Sequence, residues 1–298
     1  MDRLPTVETG LKGAGVKIMF KLAVKAAVFG VFAGLASPTL AADFIAPPVE
    51  PAPMVTPVYQ EADYGGWYIR GDVDYHWSKW RGADYITYGP GTNTFDSGKL
   101  RGAFSLGGRV GYQVTQHFRT DLTGDYWFKS NFKGSTLGTC GTTSAPCPST
   151  DTSRMSAFLL LANAYADLGT WHGITPYVGA GIGGAHIKWD TLVNEDDDGR
   201  FEHRGGKGWR FAYALMAGAS YCLTDHAKLD VGYRFSHING GRMFEYASGL
   251  GGTIGAGPGF DRGFNNHEVR AGLRYQFGNS DCAPQQAVAY EPVPEPVY

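Results

Sequence analysis

Trp67 to Trp77 reads WYIRGDVDYHW, and the parity of this stretch decides the fold. Trp67, Ile69, Gly71, Val73, Tyr75 and Trp77 share one side, and Tyr68, Arg70, Asp72, Asp74 and His76 share the other. Successive side chains of a strand point to opposite faces, so the segment predicts a β-strand with an apolar face and a charged one. A soluble sandwich strand alternates in the same way, so recurrence carries the argument.

The pattern recurs on both sides of this stretch. Phe104–Val114 sets Phe104, Leu106, Val110 and Tyr112 against Ser105, Arg109 and Gln113, and Phe118–Phe128 sets Phe118, Leu122 and Tyr126 against Arg119, Asp121 and Asp125. Ser153–Leu168 alternates poorly, because AFLLLANA is apolar on both faces, and Tyr177–Trp189 is glycine-rich. Trp209–Tyr221, Leu229–Phe235 and Val269–Phe277 restore the pattern, with Asp230 and Arg234 opposite the seventh apolar stripe and Glu268, Arg270 and Arg274 opposite the last. Eight strands are expected, an even number as bacterial outer-membrane barrels require.

The connections alternate in length. Thr115–His117, Gly169–Thr175 and Thr224–His226 are brief, whereas Ser78–Leu100, Ser130–Thr152, Asp190–Gly208 and Asn239–Asn266 are long. Short turns at one end and long loops at the other are the asymmetry of outer-membrane barrels. The charged face then has one place to go. Turned to lipid, each Arg or Lys would cost roughly 2–4 kcal/mol at the bilayer midplane. Arg70, Asp72, Asp74, Arg109, Arg119, Asp121, Asp125, Asp230, Arg234, Glu268, Arg270 and Arg274 are therefore expected to pair in the lumen, which eight strands leave just wide enough for side chains to fill. The predicted fold is all-β, an eight-stranded antiparallel transmembrane β-barrel.

Composition agrees. The chain of 298 residues holds 43 Gly, 17 Tyr, 17 Phe and 7 Trp with 18% charged residues, which suits aromatic-girdled strands and not helices. A net charge of −2 carries no nucleic-acid footprint. Lys17, Lys21 and Lys25 followed by apolar Ala26–Ala36 and small residues up to Ala42 read as a secretory signal peptide, cleaved after Ala41 or Ala42. The apolar core is too short for a membrane anchor. Met19 opens a complete signal by itself, so residues 1–18 are expected to be an over-called start. The domain reading is signal peptide 1–42, Pro-rich leader 43–63, barrel 64–278 and Pro-rich tail 279–298.

Four cysteines in an exported chain imply disulfides rather than a metal site, since CxxC spacing is absent. Cys140 and Cys147 bracket a short loop and are natural partners. Cys222 closes the sixth strand and Cys282 lies just past the last, a span that a few extended residues reach, so a Cys222–Cys282 bridge is expected to tether the tail at the barrel mouth.

The opening YGGWYIRGDVDY (64–75), ANAYADLGTWHGITPYVGAGIGGA (162–185), KLDVGYRF (228–235) and the closing HEVRAGLRYQF (267–277) resemble, in order and spacing, the OmpA-like β-barrel outer membrane proteins of alphaproteobacteria of the rhizobial and brucella type. The resemblance implies residence in the Gram-negative outer membrane among its lipids. It also implies insertion by the barrel-assembly machinery through the terminal aromatics Tyr275 and Phe277, although here a tail follows Phe277. In such proteins a mature N-terminal Ala-Asp is joined to peptidoglycan, a role that would fall to Ala42 with Asp43.

Other chemistry is weak. Ser236-His237 lacks the order of lipid A deacylase motifs and reads as a polar strand end. Asn194-x-Asp196-x-Asp198-Gly199 begins like a calcium loop but has Gly205 where the bidentate Glu belongs. No zinc or nucleotide motif stands in context, so no enzyme activity, metal or other cofactor is expected. His76, His117 and His226 are expected near strand ends or turns. The favoured role is a structural envelope protein. The alternatives are a small porin, or an adhesin using the loop aromatics Trp80, Tyr85, Tyr88, Phe201, Phe244 and Tyr246, which could equally pack into a rigid cap.

Overall fold

The computed structural model describes residues 65–86, 92–140, 145–247, 256–278 and 280–282; the signal segment, the leader, Tyr88 and the tail beyond Cys282 lie outside the described residues. Eight long strands build the barrel: β1 Gly66–Trp80, β2 Ala103–Gln113, β3 Phe118–Ser135, β4 Thr150–Asp167, β5 Ile174–Trp189, β6 Lys207–Cys222, β7 Ala227–Ile238 and β8 Phe264–Gln276. Each pairs antiparallel with the next, and β8 returns to β1, with Val73 opposite both Leu106 of β2 and Ala271 of β8. Closure leaves the barrel wall without an edge, which lipid demands because it offers no partner to an unpaired backbone group.

The faces follow the alternation. Ile69, Val73, Leu106, Val110, Leu122, Ile182, Leu215, Val231, Val269 and Leu273 form an exposed aliphatic band. Aromatic girdles flank it, Trp67, Tyr112, Phe118, Tyr221 and Tyr275 toward the short turns and Tyr75, Trp77, Phe104, Tyr126, Phe158 and Trp209 toward the long loops. This is the outside of a membrane barrel.

The strands run farther outward than the alternation implies. β3, expected to end at Phe128, continues to Ser135. A bulge between Trp127 and Ser130 leaves both Phe128 and Lys129 exposed, so the parity resets and Ser130, Phe132 and Gly134 turn inward. Likewise β1 continues to Trp80, which puts His76 inside the lumen rather than near a strand end; its ring is buried and stacks on Trp127 at 4.3 Å.

Short strands in three of the four loops extend the sheet beyond the barrel, among them Ala83–Ile86, Leu192–Asp196, Gly199–Gly205 and Gly241–Ala247. The hairpin Leu137–Cys140 and Ala145–Pro148 forms a separate two-stranded sheet, linked by Cys140–Cys147.

The poorly patterned strands have a packing reason. On β4 the lumen-facing side chains include Leu159 and Leu161 as well as Asn163, Tyr165 and Asp167, so both faces look apolar in its middle. Opposite them, β5 presents glycines. A Cβ on Gly181 would lie 1.9 Å from the Asn163 carboxamide oxygen, and one on Gly183 would lie 2.1 Å from the Leu160 carbonyl oxygen. These glycines admit the neighbouring strand's side chain and backbone.

Candidate functional site

The lumen is the chemically distinctive part of the molecule. In its outer half, Arg234 of β7 donates to Asp125 of β3 at 2.5 Å and to both oxygens of Glu268 of β8 at 3.1 and 2.5 Å. Arg270 of β8 bridges Asp74 of β1 at 2.9 Å and Asp125 at 3.0 Å, and Ser236 donates to Glu268 at 3.2 Å. Deeper, Arg109 reaches Asp72 at 3.0 Å and the Tyr165 hydroxyl at 2.8 Å, with Asp121 at 3.5 Å. Asp230 is flanked by Arg274 at 3.2 Å and Arg70 at 3.4 Å, and Arg70 also bonds Asp72. The twelve charged residues expected in the lumen are all buried there. Cations and carboxylates from non-adjacent strands interleave, so each charge taken from water has an opposite neighbour.

Several members escaped the sequence reading. Asp167 holds Arg119 at 3.0 and 3.1 Å, and the Arg119 guanidinium lies over the rings of Tyr165 at 4.2 Å and Tyr177 at 4.7 Å. Asn163 donates to Asp121 at 2.6 Å and Thr123 at 2.8 Å, and Tyr68 donates to Asp121 at 3.0 Å. Asp167, Asn163 and Tyr165 sit on β4, where lumen leucines hide the alternation. Their common odd parity with Ser153 was the available signal.

Both ends of the lumen are occupied. Outward, Phe132 packs edge-on to Trp189 and Trp189 lies tilted against Phe264, with ring centroids 5.5 and 6.0 Å apart, and Trp80, Phe95 and Phe244 continue the cluster. Arg210 donates to Asp261 at 2.6 Å beside it, and the Trp189 indole donates to the same carboxylate at 3.2 Å. Trp80, Tyr85 and Phe244 are thus cap residues; Phe201 is half-buried and Tyr246 is exposed.

At the opposite end Cys222 and Cys282 are bonded, with Cα atoms 5.6 Å apart. This brings Asp281 against Lys228, with Thr170 and Thr175 donating to its carboxylate at 2.5 and 3.1 Å. Burial opposes the charged form of Asp281, but Lys228 and these hydrogen bonds outweigh it and hold the carboxyl at about 2.

The remaining candidates separate. Ser236 Oγ points into the lumen toward Glu268, whereas His237 faces outward and its Nδ1 lies 2.7 Å from Asn265 Oδ1, so the barrel wall stands between them. Asp196 Oδ1 accepts from the amides of Asp198 and Gly199 at 2.9 and 3.2 Å, closing a hairpin turn, and Asn194 bonds Asp151. The thiols of Cys140 and Cys147 beside Asp196 are spent in their disulfide. Tyr275 and Phe277 are exposed at the inner end of β8, their rings 5.0 Å apart.

Comparison with known proteins agrees with this architecture. Residues 50–277 match the family model for the outer membrane protein beta-barrel domain. An uncharacterized protein of Brucella suis is 38% identical over 267 residues, covering 76% of this chain and 89% of its own, and one of Brucella abortus is 38% identical over the same share. Among solved structures, the outer membrane protein OprG of Pseudomonas aeruginosa covers 72% of this chain and 97% of its own at 17% identity and a TM-score of 0.43. The chain therefore belongs to the outer membrane protein beta-barrel domain family, and its place is the Gram-negative outer membrane.

Proposed function

We propose that this protein is a closed structural barrel of the envelope, neither a pore nor an enzyme. The observation that carries the reading is the filled lumen: ion pairs such as Arg234–Asp125 and Arg109–Asp72 cross it, an aromatic cap closes the outer end, and the Cys222–Cys282 segment lies at the inner one. An eight-stranded wall leaves room for these side chains and little else. The separation of Ser236 from His237 across the wall supports a non-catalytic role, since a nucleophile needs its base within hydrogen-bond reach. Tyr85 and Phe244 are buried in the cap and Trp80 is half-buried against it, which reduces the aromatic surface the loops offer for adhesion. Planar-bilayer recording tests the reading. No stable unitary conductance is expected, and reproducible single-channel steps would overturn it.

Two partner roles complete the proposal. Tyr275 and Phe277 serve as the signal for the barrel-assembly machinery, supported by their exposure on the last strand. Ala42 links the barrel to peptidoglycan, and muramidase should then release the protein carrying a muropeptide. Complete extraction by detergent alone refutes the link.

A further inference from the structure

The outer surface of β3, β4, β5 and β6 changes character abruptly at the girdle facing the loops. Phe128 is followed at the bulge by outward-facing Lys129, and Lys133 follows on the same face. Arg154 lies four residues outward of Phe158 on β4, and Lys207 two residues outward of Trp209 on β6. Phe158 and His186 pack on Trp209 with ring centroids 6.4 and 5.4 Å apart, which levels the girdle across the strands. At roughly 3.3 Å per residue, the cations stand one or two turns of pleat beyond it. They border an open recess of about 1280 Å³ lined by eight basic side chains and three carboxylates, in a chain whose net charge is −2.

The internal neutralisation is incomplete. Asp190 serves both Lys129, at 2.7 Å, and Arg154, at 3.2 Å. Lys188 stands directly opposite Lys207 in the β5–β6 register, and Lys99 directly opposite Lys133. Like charges directly opposite one another destabilise a sheet. Among the described residues, Lys133, Lys188 and Lys207 have no ion-pair partner. By contrast, the lumen charges are matched. The surplus is confined to the exterior, at the height where the outer leaflet changes from acyl chain to headgroup.

We propose that this recess binds the phosphorylated headgroup of an outer-leaflet glycolipid. Phosphate oxygens are seated between Lys188, Lys207 and Arg154, and acyl chains lie along Phe158, Trp209 and Phe211 below. Phosphate accepts several charge-assisted hydrogen bonds at once, which relieves the repulsion between facing lysines. The aromatic wall beneath supplies the apolar contact that a soluble anion would not use.

Binding is measured on the folded full chain in neutral detergent by native mass spectrometry, with bis-phosphorylated lipid A and its dephosphorylated form as probes. Removing the phosphates, or replacing Lys188→Gln together with Lys207→Gln, should weaken binding by roughly tenfold or more, since basic residues near an anionic surface each contribute appreciably. Lys79→Gln, exposed on the far side of the barrel on β1, should leave it unchanged. Unboiled and boiled gel migration verifies that each variant is folded. Equal affinity for both lipids, or an undiminished double variant, overturns the proposal. So does displacement of the lipid by inorganic pyrophosphate at matched concentration, which would assign the site to free phosphate. A double variant that loses heparin binding but keeps the lipid would assign the surface to sulfated polysaccharide and likewise overturn it. None of these outcomes depends on whether the lumen conducts.

Discussion

Replacing Arg234 with Met should destabilise the barrel by about 3–5 kcal/mol. Arg234 is fully buried, and its guanidinium is the only group that bridges Asp125 and Glu268 among the described residues. Methionine has a similar length but no charge. In Arg234→Met, Asp125 retains Arg270 at 3.0 Å, whereas among the described residues Glu268 keeps only the Ser236 hydroxyl at 3.2 Å. Removing one partner from a buried pair strands the other charge, at a cost of about 3–5 kcal/mol. Replacing both, as in Arg234→Met with Glu268→Leu, removes the stranded charge and should recover more than half of the loss, because desolvation and attraction nearly cancel in buried pairs. The assay is equilibrium urea unfolding in lipid vesicles, followed by tryptophan fluorescence and checked by heat-modifiable migration. A single variant that loses under about 1 kcal/mol, or a double variant no better than the single, would refute an ion-paired lumen as the source of stability.

Three further outcomes follow from the structure. Gly183→Ala should cost about 1–3 kcal/mol in the same assay, because its Cβ would meet the Leu160 carbonyl oxygen at 2.1 Å and β4 would have to shift; a neutral result contradicts the close approach. Non-reducing peptide mapping should recover Cys222 joined to Cys282, and Cys282→Ser should leave heat-modifiable migration intact because the ladder closes through β8 and β1 without the tail; a free Cys282 thiol counts against the bridge. Asp281 is held at about 2, below the ordinary carboxylate range, so its contribution is complete above roughly pH 4 and is lost as pH falls toward 2. In Cys282→Ser, hydrogen exchange around residues 280–282 should therefore show lower protection at pH 2 than at pH 6 after correction for intrinsic rates, and equal protection would remove Asp281 from the latch.

Strand number, antiparallel order, membrane setting and the identity of the lumen face were all legible in the sequence. A period of two is enforced locally by backbone geometry, and lipid and paired charge punish any exchange of the two faces. WYIRGDVDYHW carries that information within one strand, and HEVRAGLRYQF repeats it. What distance in the chain hides, only the folded barrel decides. Asp167 meets Arg119 and Asn163 meets Asp121 because closure and register bring β3 against β4, on a strand whose inward leucines mask its parity. The bulge beyond Trp127 reverses inside and outside, so the extent of β3 and the basic surface starting at Lys129 could not be read by counting. His76 becomes a lumen residue, and Trp80 and Phe244 become a cap, because the loops continue the sheet past the membrane. Alternation is a property of neighbouring residues and survives in the sequence; register, bulges and cross-barrel pairing are properties of the closed sheet and exist only once it has formed.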